Sequence, residues 1–190
     1  MTFDRTALLA LKPVLVAYGL DTFGYSSIGG TSVGGYAPDT LHAFGKWSPA
    51  SNGTLTTLHW YCTGTSSTPM TLGLYDHDAV NDEPENVVAQ TAGFVTSGDG
   101  WQSQAASAAI TAATTYWFAE NLDDDTLTAY YDAGTGVLDR CDDTYSAGNL
   151  IDPFGTSTLT RTSRDYSAYG TYTTAGGANA VPAIFRSLRR

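Results

Sequence analysis

From Leu41 onward the chain is a succession of short apolar and β-branched runs separated by turn clusters, and this rhythm constrains the fold more than any other feature. Thr54 to Cys62 (TLTTLHWYC) places Leu58, Trp60 and Cys62 on one face of an extended strand. Met70 to Tyr75 does the same with Met70, Leu72 and Leu74, because strand side chains alternate sides with a period of two. Val87–Val95, Thr114–Glu120, Thr126–Tyr131, Val137–Tyr145 and Tyr166–Thr174 follow in the same style. Between them stand SNG, GTSSTP, NDEP, SGDG, DDD and AGTG, which are turn and loop chemistries. Strands at such spacing predict an all-β fold, an antiparallel β-sandwich of jelly-roll-like form. A parallel sheet would need helical crossovers, and the sequence offers none. Ser103–Ala113 (SQAASAAITAA) is alanine-rich and admits either a short helix or an exposed edge strand.

A length of 190 residues suits one domain with an appendage. Residues 1–40 differ from the rest. Ala7–Leu11 (ALLAL) runs into Pro13, and Leu20–Pro38 is punctuated by glycines, so the segment carries too little continuous apolar surface to fold alone. It reads either as a strand or two completing the main sheet or as an arm that packs on a neighbouring subunit. The division expected is an N-terminal arm over 1–40, a sandwich over 41–175 and a tail over 176–190. Thr6–Gly19 is the only stretch with the character of an export signal. It lacks a convincing cleavage site, so the segment is expected to stay with the chain.

Charged residues make up only 15% of the chain, well below the roughly 25% of an average soluble domain, so the surface is built from neutral polar groups. The charges present are acidic, giving a net charge of −10. Their placement is uneven. No basic residue lies between Lys46 and Arg140, fourteen acids fall between Asp76 and Asp143, and Arg186, Arg189 and Arg190 cluster at the end. A nucleic-acid groove or an anionic membrane surface would require the opposite sign. No apolar stretch reaches the roughly 18 residues of a membrane span.

Particular residues then become recognisable. Phe44, Ser51-Asn52-Gly53-Thr54-Leu55, Leu72-Gly73-Leu74-Tyr75-Asp76 and Val88-Ala89-Gln90-Thr91 are followed by Gly100-Trp101 and Thr114-Thr115-Tyr116-Trp117-Phe118-Ala119. Asp152-Pro153-Phe154-Gly155 and Tyr166-Ser167-Ala168-Tyr169-Gly170-Thr171-Tyr172 complete the series. This ordered set, over residues 42–174, resembles a jelly-roll-like β-sandwich module found in bacterial secreted and surface proteins and in phage virion proteins. The resemblance implies display, adhesion or assembly, and it carries no catalytic residues. The acidic loop after Tyr75 and the two cysteines depart from its pattern.

Candidate sites are few. Cys62 and Cys141 lie 79 positions apart and are either bridged, closing a long loop, or two buried free thiols. Asp76, Asp78, Asn81, Asp82 and Glu83 form the densest cluster of hard oxygen donors, a composition that suits calcium, although the order of an EF-hand is missing. Otherwise no cofactor is expected. Gly30-Thr31-Ser32-Val33-Gly34 matches the G-x-S-x-G string of a nucleophile elbow without the strand-turn-helix context that the elbow needs. His42, His59 and His77 lack zinc spacing, and no pair of carboxylates is singled out, so an enzyme is not expected. Trp60 and Trp117 read as core, whereas Trp101, Tyr130 and Tyr131 are candidates for a sugar-stacking platform.

The leading expectation is a non-enzymatic structural protein of a virion surface, a phage capsid decoration or head-surface protein. Its terminal segments would anchor it to neighbours, and a homotrimer is the expected assembly. The alternatives are an extracellular carbohydrate-binding or adhesive module, and a fibre subunit that adds a strand to the next subunit's sheet.

Overall fold

The computed structural model describes residues 19–34, 38–124 and 126–174, and of Leu159, Arg161 and Thr162 the backbone alone; every regular element in it is a β-strand. The strands are β1 (Leu20–Gly24), β2 (Thr31–Gly34), β3 (Thr40–Trp47), β4 (Gly53–Gly64), β5 (Pro69–Asp78) and β6 (Glu83–Gln90). They continue with β7 (Phe94–Val95), β8 (Gly100–Ile110), β9 (Tyr116–Leu122), β10 (Leu127–Asp142), β11 (Leu159–Tyr166) and β12 (Ala168–Thr174). All pairings are antiparallel, in the order β1-β12-β4-β10-β3-β9-β5-β6, with β8 on β4, β2 and β11 on β10, and β7 on β5.

The hydrogen-bonded path is continuous, yet the sheet folds over on itself. Phe23 of β1 packs on Phe118 and Tyr116 of β9, with ring centroids 5.1 and 6.1 Å apart, although four strands separate β1 from β9 along the ladder. One layer is therefore β1, β12, β4 and β8, and the facing layer is β3, β9, β5 and β6. β10, 16 residues long, belongs to both: Leu127–Ala129 pair with β4, and Val137–Asp142 pair with β3. Its ladder with β11 shifts register between Ala133 and Val137, where a bulge lets the strand turn the corner. Packing is tight at Gly170, where a Cβ would lie 2.9 Å from both Phe23 and Leu55 of its own layer and 3.3 Å from Phe118 of the facing one. This position accepts only glycine without displacing the core.

Between the layers lies the main core, built on Phe23, Leu55, Leu58, Trp60, Leu74 and Phe118. A second core lies on the other side of β3, β9 and β5, where Leu41, Tyr75, Trp117 and Cys141 are covered by Leu150 and Phe154 of the 143–158 connection. The Tyr75 hydroxyl ties that connection down by donating to the Ile151 carbonyl at 2.6 Å. Met70, Leu72 and Leu74 share a buried face as expected, but Thr71, Gly73 and Tyr75 are buried as well, because this strand is covered on both sides.

The structure also decides between readings that the sequence left open and joins two expected strands into one. Within residues 20–34, read either as strands of the main sheet or as part of an arm, Leu20–Gly24 and Thr31–Gly34 form β1 and β2 and pair in the sheet. The rest of the expected arm, residues 1–18, and the tail over 176–190 lie outside the described residues. Thr126–Tyr131 and Val137–Tyr145 are parts of one long strand. Ser103–Ala113 supplies most of β8, an edge strand and no helix. Cys62 and Cys141 are free thiols that belong to different cores, which explains why they are not bridged.

One ionisable pair is sealed inside. His42 and Glu120 face each other across β3 and β9, with Nδ1 2.9 Å from Oε1 and Glu120 wholly inaccessible. Burial raises the Glu120 carboxyl above the usual glutamate range, and the imidazole opposes that rise. Removing one partner of such a pair strands the other, so His42→Ala is expected to cost about 3–5 kcal/mol. Without the imidazole the carboxyl rises further. A raised acid contributes stability that is present at low pH and lost as the pH climbs through its folded value, so the urea midpoint of His42→Ala should fall as the pH rises above the ordinary glutamate range. Adding Glu120→Gln should flatten that dependence.

Candidate functional site

β12, β4 and β8 lie side by side and contain 7, 12 and 11 residues without one Asp, Glu, Lys or Arg. In β4 the alternation that buries Leu58, Trp60 and Cys62 turns His59, Tyr61 and Thr63 to the other face. Register then assembles the neighbours: Tyr61 sits opposite Trp101 of β8, and His59 sits opposite Ser103 of β8 and Tyr169 of β12. Tyr130 enters from β10, its hydroxyl 3.2 Å from that of Thr63.

The result is a row of half-buried rings on the outer face. Tyr130 meets Tyr61 edge to face with centroids 5.2 Å apart, Tyr61 meets Trp101 at 5.5 Å, and Trp101 meets Tyr169 at 4.9 Å. Tyr169 stacks on His59 at 4.2 Å with planes 9° apart. The His59 imidazole is fixed at both nitrogens, Nδ1 being 2.7 Å from the Ser103 hydroxyl and Nε2 3.0 Å from that of Thr171. Partial burial lowers its pKa, so the ring is neutral at pH 7 and one nitrogen accepts while the other donates. Chemically this face offers aromatic surface and hydroxyl groups, with no fixed charge on its three strands.

Two of the three expected platform residues are therefore brought together. Trp101 and Tyr130 join the row, while Tyr131, the next residue on β10, points to the opposite side. There it packs on Tyr166 with centroids 5.3 Å apart, and the Arg164 guanidinium lies 4.3 Å from its ring centre. Trp60 and Trp117 are core residues, 1% and 0% exposed. Tyr61, Tyr169 and the role of His59 escaped the sequence reading. Tyr61 was detectable, since it alternates with Trp60, but Tyr169 needed the β12–β4 register.

The acidic loop does not gather its oxygens. Asp76 accepts from the Asn86 amide at 2.6 Å, and Asp78 accepts from the Val80 amide at 2.7 Å and from the Asn81 side chain at 2.6 Å. Those bonds hold Asp78 below the usual aspartate range, the Val80 amide foremost. Asp82 turns away to Lys46, with Nζ 2.6 Å from Oδ2, and is lowered chiefly by that bond, while Glu83 pairs with Asp78 in the β5–β6 ladder. Among the described residues no group of three or more His, Cys, Asp or Glu is placed to hold a metal ion. The five residues shape a hairpin end.

No nucleophile elbow forms either, because Thr31–Gly34 is the short strand β2 and no helix follows among the described residues. Two open clefts of about 490 and 400 Å³ near the other end of β4 and β8 are lined by groups such as Thr54, Gln90 and Ser107, and no titratable side chain faces them.

Comparison of the chain with protein-family models, with curated proteins and with solved structures finds no match.

Burial pushes the Cys62 thiol up to about 12 and the Cys141 thiol up to about 11. Both should therefore resist a thiol-specific reagent in the native protein at pH 8 and react only on unfolding, two per chain. A stoichiometric native reaction would show that one core opens.

Proposed function

We propose that the protein is a non-enzymatic β-sandwich module that binds neutral carbohydrate on the outer face of β12, β4 and β8. The observation that carries this reading is the coincidence of two independent features on one surface: five contacting rings, and three adjacent strands free of charge in an acidic chain. A sugar ring presents apolar C–H faces and a rim of hydroxyls. It is matched by aromatic surface bordered by Thr63, Ser103 and Thr171, and it gains nothing from fixed charge. Aromatic side chains with a polar handle suit such a half-wet surface.

The test is glycan-array binding of the full chain. Trp101→Ala and Tyr61→Ala should each weaken binding tenfold or more, Tyr131→Ala should leave it unchanged, and affinity should vary little with salt because no ion pairs form. Binding that survives both ring deletions would overturn the assignment.

A second observation supports assembly on a larger structure such as a virion surface. Gly19 and Thr174, where the described chain begins and ends, lie side by side, the Thr174 amide donating to the Gly19 carbonyl at 3.4 Å. The sequence beyond them, residues 1–18 and 175–190, carries five basic residues and one acid, a net of +4, against four basic and eighteen acidic residues within 19–174, a net of −14. The two ends of the described chain thus lie together on β1 and β12, and the sequence beyond them carries a charge opposite to that of the body. Reversing Arg186, Arg189 and Arg190 to Glu should abolish incorporation into the parent assembly and leave glycan binding intact. Unchanged incorporation would remove the anchoring role.

A further inference from the structure

The rings occupy one end of the outer face. There the neutral surface stops, because the exposed Asp99 stands in the turn just before Trp101, its carboxylate accepting from the Gly64 amide at 2.8 Å. In the other direction the face continues. Thr22 of β1, Thr171 of β12 and Thr57 of β4 lie side by side in register, and Thr173 and Thr54 form the next such pair. The bond from the His59 Nε2 to the Thr171 hydroxyl, at 3.0 Å, puts this row on the same face as the rings. Thr56 sits at a register shift in both ladders of β4, which resets the alternation, so that Thr54 and Thr57 both face away from the buried Leu55 and Leu58. Beyond them opens the cleft of about 400 Å³, to which Asn52, Thr54, Ile110, Thr111 and Thr173 contribute. That volume lies within the range of small-ligand pockets. From Tyr61 to Thr54 the face runs roughly 20 Å along β4.

We propose that the ligand is an extended, β-1,4-linked neutral glycan lying along β4, with its first sugars on the rings and later ones over the threonines and in the cleft. This ligand presupposes the carbohydrate reading of the rings and adds to it a length and a shape. A monosaccharide or a short chain end on the rings reaches neither the threonine pairs nor the cleft. Hydroxyl side chains both donate and accept, so the Thr57–Thr171 and Thr54–Thr173 pairs match the rim hydroxyls of successive sugars in either chain direction. Charge excludes an anionic polymer. The three strands carry no base to pair with it, Asp21 of β1 alternates to the side opposite Thr22, and the body as a whole is acidic. Linkage sets the shape, because a β-1,4 chain stays extended and follows a strip three strands wide, whereas an α-1,4 chain curls and leaves the face beyond the rings. The threonines contribute single, individually weak hydrogen bonds, so the rings anchor the chain and the far end adds affinity only to a ligand long enough to reach it.

The test is calorimetric binding of the full chain to cellobiose and cellohexaose and to the chito-oligosaccharides of the same lengths, with maltose and maltohexaose as the curled counterparts. In at least one β-1,4 series the hexasaccharide should bind about tenfold tighter than the disaccharide, and the malto series should show no such gain. Thr111→Trp and Thr54→Tyr fill the cleft from exposed positions, and aromatic residues suit strands, so the melting temperature should hold. Each should return the hexasaccharide to the affinity of the disaccharide and leave the disaccharide unaffected, whereas Trp101→Ala weakens both. Equal affinity for the two lengths, an equal gain in the malto series, or a gain that survives both cleft variants would overturn the extended ligand and leave the ring site standing. So would failure of both β-1,4 series while other glycans on the array still bind through Trp101. Loss of all glycan binding would remove the ring site and the extended ligand together.

Discussion

β9 is buried along its whole length on both faces, and most of the structure serves to keep it so. Its inward side, with Phe118 and Leu122, is covered by the layer folded over from β1, β12, β4 and β8. Its other side, with Trp117 and Ala119, is covered by the 143–158 connection. Two covers require a sheet that folds over on one side and a long connection that returns on the other. They also explain the one costly feature of the interior. Glu120 has no route to water, and the imidazole of His42 directly opposite is what makes an ionisable group tolerable there.

The same architecture sorts the surface by charge. Carboxylates collect at hairpin ends and along β10; local amides and Lys46 engage Asp76, Asp78 and Asp82, and of those on β10 only Asp139 is buried. The outer face of β12, β4 and β8 is left with rings and hydroxyls. Charge depletion with aromatic enrichment characterises the centre of a recognition surface. In this protein the two properties coincide on the face proposed to bind carbohydrate.

Much of the fold was readable because period-two alternation and turn chemistry are local signals. Leu58, Trp60 and Cys62 are buried as their spacing requires, and the turn clusters stand between strands. The readings that stayed open concern contacts the sequence does not reveal. Pro13 and the glycines left residues 1–40 open between an arm and strands of the main sheet, and β1 and β2 are stabilised by β12 and β10, about 150 and nearly a hundred residues away. The cysteines looked bridgeable because sequence separation says nothing of which side of a doubly covered layer each thiol occupies. The acidic loop looked like a cation site because composition does not reveal that Asp76 and Asp78 are already engaged by neighbouring amides and Asp82 by Lys46.

The sequence by itself determined that the chain is all-β and antiparallel, that its charge is acidic and unevenly placed, and that Trp101 and Tyr130 were worth testing as platform residues. These follow from alternation, turn residues and counting, which need no knowledge of neighbours in space. The tertiary structure alone decided which rings meet. Tyr61, Trp101, Tyr169 and His59 come from three strands whose register is set by a hundred residues of intervening chain. Adjacent Tyr130 and Tyr131 were separated by the pleat, one onto the outer face and one into the interior, because successive side chains on a strand point to opposite sides.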